Sequence, residues 1–184
     1  MLNQFIWFTK QYFFDSLIKS LLSLVFLCLL CPVKFNIQSE MPITLQSFAV
    51  IMVAMCFGWQ IAKGAVLTYI IAGAIGLPVF ADYKSGVEVL AGTTGGFIIS
   101  FFIASLIIGW LIEKPWFQKP IGNLLLWFMG HGIILFIGTI WISFFAPDCL
   151  SIIIPVLPGA VIKSIVGWGL IQLFVQLTKN RKAE

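Results

Sequence analysis

Charge is what this 184-residue chain has least of. Only 10% of its residues are Asp, Glu, Lys or Arg, where an ordinary soluble domain carries roughly 25%. Seven residues are acidic, eleven are basic, and there is one histidine. A disordered chain needs high charge, a nucleic-acid binder needs a basic face, and a soluble domain needs enough polar surface to cover itself. None of the three fits. There is no Gly-Lys dipeptide and so no Walker A loop, and the single His131 sits among apolar residues with no nucleophile to serve. An enzyme is therefore not expected. The cysteines are Cys28, Cys31, Cys56 and Cys149. Cys28-x-x-Cys31 has metal-like spacing but no second pair and falls in an apolar run, so buried thiols are expected, with no metal and no cofactor.

What the chain has in excess is oil. Apolar residues make up 60%, against roughly 45–50% in soluble domains, and the mean hydropathy is +1.06. The solvent this implies is the lipid bilayer. Uncharged runs cover 20–33, 41–62, 64–81, 89–112, 120–147 and 164–178. A helix needs about 20 mostly apolar residues to cross the hydrocarbon core. The expectation is one all-α integral membrane domain over 1–184, with six transmembrane helices near 13–33, 43–62, 64–81, 94–112, 121–145 and 158–178. Lys19 and Lys163 then lie inside helices, where long side chains snorkel toward an interface. With both termini cytoplasmic, eight basic residues (Lys10, Lys19, Lys63, Lys114, Lys119, Lys179, Arg181, Lys182) face inward and three (Lys34, Lys84, Lys163) outward. That asymmetry gives N-in/C-in. The first run lacks a small-residue cleavage site and reads as a retained span.

The two faces differ. Inner connections are short, at Gln60–Lys63 and at 113–120; the outer ones, near 34–42, 79–92 and 146–158, are longer and carry Gly, Pro and isolated polar residues. Irregular backbone at membrane depth survives only where protein buries it or where it lines a cavity, so an outward-facing pocket under a lid is expected. Pro42 starts the second span, with Thr44 and Gln46 as its early polar groups. Gly76-Leu77-Pro78-Val79-Phe80-Ala81-Asp82 closes the third, and Gly92-Thr93-Thr94-Gly95-Gly96-Phe97 opens the fourth. The latter offers unpaired N–H groups suited to a carboxylate, or simply a tight helix-packing turn. Leu157-Pro158-Gly159-Ala160-x-x-Lys163 opens the sixth and places an ammonium roughly 7 Å inside the helix start. An ionisable group at that depth is a functional candidate, snorkelling being the alternative. His131 reads as a hydrogen-bonded helix contact, and Asn123 as the inner cap of the fifth span. Ser16-x-x-x-Ser20, with Ser23 nearby, is a small-residue face on the first span.

Met41-Pro42-Ile43-Thr44-Leu45-Gln46, Gly76 to Ala81, Gly92-x-Thr94-Gly95-Gly96 and Leu157-Pro158-Gly159-x-x-x-Lys163, in this order, resemble the BioY family. Its members are biotin-specific substrate-binding (S) subunits of energy-coupling-factor (ECF) vitamin transporters. The resemblance covers about 13–178. It implies a six-helix ECF S-component-like fold in the bacterial cytoplasmic membrane, with biotin bound near the outer face. It also implies an ECF transmembrane coupling subunit and a pair of ABC-type ATPases as partners; solitary action, another vitamin or a structural role are the alternatives. This chain has Thr93 where the family has Pro, Phe97 where it has Tyr, and Ala160 where it has an Asp that contacts ligand with the lysine. Lys163 is the expected charge-assisted contact, Asp82 a substitute acceptor, and Gln46, Thr94, Gly95 and Gly96 further polar contacts. Phe80, Phe97, Trp127 or Trp141 are expected to hold biotin's apolar ring, and Ser16 and Ser20 to dock the coupling subunit.

Overall fold

The computed structural model describes residues 13–35 and 43–180, so the expectations placed on Lys10, Pro42, Arg181 and Lys182 lie outside the described residues. Helix α1 (Phe13–Leu30) leads into β1 (Lys34–Phe35), which pairs antiparallel with β2 (Ile43–Thr44), Lys34 opposite Thr44. Then follow α2 (Gln46–Ala74), α3 (Val87–Ala91), α4 (Gly95–Leu111), α5 (Pro120–Ile142), α6 (Cys149–Ile153) and α7 (Leu157–Asn180). Apolar residues leave the backbone no partner but itself, and helices satisfy it without help from water.

Helix α2 doubles back on itself. Gln46 Nε2 donates to Tyr69 Oη at 2.9 Å across a separation of 23 residues, which a straight helix would hold about 34 Å apart at 1.5 Å per residue. The reversal is at Gly58, with φ 74° and ψ 177°, a conformation that side chains disfavour. A Cβ at Gly58 would stand 2.9 Å from Glu113 Oε1, and one at Gly109 would run into the Trp59 backbone. The turn therefore falls at Gly58 rather than at Gln60–Lys63, and Lys63 sits one turn up the returning arm with Nζ 4.4 Å from the Trp59 ring centre. The returning arm stops at Ala74 and not near residue 81, because Gly76 takes φ 111° and Leu77 N–H bonds back to Ala72 O at 3.0 Å.

Three further expectations change. Residues 43 and 44 are strand rather than helix. The 146–158 connection is mostly helical, running from α6 through a 3-10 turn (Ile154–Val156) directly into α7. Asn123 does not cap α5: Lys119 holds that position, Pro120 follows it, and Asn123 is fully buried inside the first turn.

The tightest packing joins α2 to α4, α4 to α5, α1 to α2 and α5 to α7. Trp127, Tyr69 and Phe80 fill the centre. Trp127 stacks on Phe48 with centroids 5.4 Å apart and presses against Gly167, where a Cβ would collide with its ring. The outside is as oily as the inside: Phe144 is 80% exposed, Ile121 73% and Leu29 71%. At about 25 cal/mol per Å² of apolar surface, such a coat is costly in water and costs nothing in lipid. Among the described residues, three runs (Gln46–Ala74, Pro120–Ile142, Cys149–Thr178) suffice by length and apolarity to cross a membrane, with Gly95–Leu111 a shorter apolar helix. The structure is that of a multi-pass membrane protein.

Candidate functional site

The β1–β2 pairing, the 75–94 connection and the start of α7 all meet at one end of the bundle, opposite the Gly58 turn. A cavity of about 480 Å³ opens there, within the roughly 300–1,000 Å³ usual for small-molecule sites. Lys163, Gln46, Phe80, Asp82, Thr94 and Phe97 all line it.

Lys163 does not reach for solvent. Its ammonium donates to Ser47 Oγ at 2.7 Å and Thr44 O at 3.2 Å. An ammonium has three N–H donors, so one remains for a ligand. The β1–β2 pairing sets Thr44 O in place, and Ser47 is in the first turn of α2. Neither was expected as a partner of Lys163, although Thr44 stood out as an early polar group of its span. A backbone carbonyl leaves no trace in a sequence, and a serine next to Gln46 resembles any polar helix start.

Gln46 is held by Tyr69, whose hydroxyl donates onward to Val79 O at 3.1 Å. That chain ties the start of α2 to the segment carrying Phe80. The Phe80 ring meets Tyr69 edge-on at 5.7 Å and lies against Gly73, which has no Cβ to obstruct it. Phe97 packs in the same way against Gly138. With Ile98, Phe101 and Ile134 these rings make the apolar wall.

Across the mouth, Lys34 Nζ and Asp82 Oδ2 pair at 2.7 Å, both partly exposed. Asp82 N–H also donates to Pro32 O at 3.1 Å, and Asp82 and Tyr83 adopt φ of 62° and 57°. Aspartate tolerates that region; for tyrosine it costs about 1–2 kcal/mol, which the surrounding contacts offset. Lys84 is a further mouth residue. Three lysines against one aspartate give the cavity net positive charge, an arrangement that attracts a small anion.

Gly95, Gly96 and Trp141 stand outside the lining. A Cβ on Gly96 would strike Trp141, one on Gly95 would strike Leu90 O, and Trp141 Nε1 donates to Gly92 O at 2.9 Å. These three lock α5 to the turn before α4, behind the cavity wall. Trp127 too is core rather than wall. Ala160 and His131 do line the cavity. On the first helix Ser16 is exposed, Ser20 half-buried and Ser23 buried, while Asp15 pairs with Lys19 at 2.6 Å. A larger groove of about 630 Å³ between α1, the first arm of α2 and the end of α7 includes Leu22, Phe26, Met52 and Phe174. It lacks the polar groups that would orient a solute, so the smaller cavity is the better site.

Fold and cavity define a multi-pass membrane protein with a cationic, aromatic-walled pocket at one end of its helices. The BioY family model matches residues 8–180. The chain belongs to the BioY family. It is 38% identical over 104 residues to "Biotin transporter BioY2" of Lactococcus lactis, covering 56% of this chain and 57% of that protein. It is also 38% identical over 112 residues to "Biotin transporter BioY" of Thermotoga maritima, covering 58% and 62%. The match thus spans somewhat under two thirds of those relatives. In three dimensions the chain resembles the crystal structure of the S-component for biotin from an ECF-type ABC transporter, with TM-score 0.72, 24% identity, and coverage of 89% of this chain and 92% of that one. That likeness is one of fold.

Proposed function

We propose that this chain captures biotin at the outer face of a bacterial cytoplasmic membrane, as the substrate-binding subunit of an ECF transporter. The observation that carries the reading is Lys163. It is a lysine one and a half turns into an apolar helix, anchored by Thr44 O and Ser47 Oγ in a cavity wall rather than turned to lipid. Biotin offers a carboxylate for the third N–H, a sulfur ring for Phe80 and Phe97, and a ureido head for polar groups deeper in. The chain performs no chemistry on its ligand and needs no cofactor.

On this reading the two arms of α2 cross separately, which makes six membrane segments, and both termini are cytoplasmic. Lys63 and Lys114 each lie 4.4 Å from a tryptophan ring centre (Trp59 and Trp110) at the end away from the cavity. Tryptophan favours either membrane interface, and lysine favours the cytoplasmic one. The Lys34–Asp82 pair closes the mouth of the cavity. Transport draws its energy from a transmembrane coupling subunit and ABC-type ATPases, docked through Ser16 and Ser20. Labelled biotin offered to the purified full chain tests the reading: saturable one-site binding, competed by unlabelled biotin, supports it. A folded protein that holds no biotin refutes it.

A further inference from the structure

His131 is the twelfth residue of α5, buried and part of the cavity wall. Its Nδ1 lies 3.0 Å from Trp127 O, one turn earlier. A carbonyl can only accept, so Nδ1 carries the proton. Ser164 Oγ lies 3.0 Å from the same nitrogen and sends its own proton to Ala160 O at 2.9 Å, which leaves a lone pair facing Nδ1–H. Both neighbours demand the same tautomer. In the neutral ring that makes Nε2 a bare acceptor.

Nε2 is buried and has no hydrogen-bond partner among the described residues. The other buried side-chain atoms in that condition belong to Ser23, Asn123, Trp127 and Gln172, none of which lines the cavity. A buried acceptor without a partner is costly and calls for an explanation, which at a cavity wall is a donor on the ligand. Ala160 of α7, which lines the cavity with His131, presents only a methyl group. The charge at the mouth is already paired, Asp82 with Lys34, and the Ser47 hydroxyl already accepts from Lys163.

We infer that His131 Nε2 accepts a hydrogen bond from an N–H of the bound ligand, and so is a specificity-determining residue for a neutral N–H donor at the end of the ligand away from its carboxylate. On the biotin reading, on which this assignment rests, the donor is a ureido N–H. Ser164 and Trp127 O are positioning groups that fix the tautomer.

The test compares biotin with two cyclic carbamate analogues, each with oxygen in place of one ureido N–H, and with biotin methyl ester. All are bound to the full-length protein and to His131→Phe, which keeps the ring and removes the acceptor. In wild type, one carbamate binds at least tenfold more weakly than biotin, because its oxygen opposes the Nε2 lone pair. In His131→Phe, biotin weakens about tenfold and the carbamate penalty vanishes, while the penalty for the methyl ester persists. His131→Gln, with an amide oxygen to accept, restores part of the carbamate penalty. A merely structural histidine predicts a uniform loss for every ligand, and that outcome overturns the assignment. So does equal binding of biotin and both carbamates by wild type, a result that needs no variant to fold. Wild-type protein that holds no biotin at all overturns the transport reading, and this assignment with it.

Discussion

Replacing Lys163 by methionine keeps an unbranched side chain one atom shorter and removes the charge. The wild-type ammonium makes contacts of 2.7 and 3.2 Å to Ser47 Oγ and Thr44 O, leaving one N–H for a carboxylate. A hydrogen bond to a charged group contributes about 1.5–3 kcal/mol net. At 1.4 kcal/mol per tenfold, its loss weakens biotin by about 10- to 100-fold. Stability changes little, because Thr44 and Ser47 border the cavity and water can take the place of the ammonium. The assay is equilibrium binding of labelled biotin to detergent-solubilised protein, with biotin methyl ester as a second ligand. Wild type prefers the acid to the ester. In the variant the two bind alike, since the ester has already lost what Lys163 recognises. A folded variant with unchanged biotin affinity, or with the acid still preferred as strongly as before, refutes the carboxylate assignment.

Gly58→Val is expected to lower stability by about 1–3 kcal/mol, since it forces a side chain to φ 74° and against Glu113. Gly64→Ala, with open space around it, should be neutral or stabilising by up to about 1 kcal/mol. Thermal unfolding of the pair checks both, and equal shifts contradict the hairpin. Asp82→Asn breaks a partly exposed ion pair contributing under about 1 kcal/mol, so Tm should hold. Biotin should nonetheless dissociate severalfold faster, because that pair spans the mouth; stopped-flow exchange showing an unaltered off-rate would argue against a latch. Ser20→Trp should abolish coupled uptake in cells while leaving biotin binding intact, and normal uptake rules out docking through that face.

Much of this architecture was legible from where charge is missing. The apolar runs located the helices, the glycine and proline clusters located the end that opens, and Lys163, singled out as an ionisable group in an oily helix, lines the cavity there. What was hidden was hidden for physical reasons. The Gly58 reversal uses a single residue flanked by Phe57 and Trp59, so no polar loop announces it. The partners of Lys163 are a carbonyl and a helical hydroxyl, neither distinctive in a sequence. Gly96 and Trp141 both suggested ligand contact, yet the Trp141 side chain packs on Gly96, a pairing across 45 positions that spacing along one chain does not reveal. His131 read as a helix contact, and its Nδ1 edge is one. Only the geometry of Trp127 O and Ser164 showed that the opposite edge is unused.

The most direct measurement is a structure of the full chain with biotin bound. The account predicts the carboxylate within hydrogen-bond distance of Lys163 Nζ and the sulfur ring between Phe80 and Phe97. Biotin lodged in the apolar groove between α1 and α7, or its carboxylate turned away from Lys163, would contradict it.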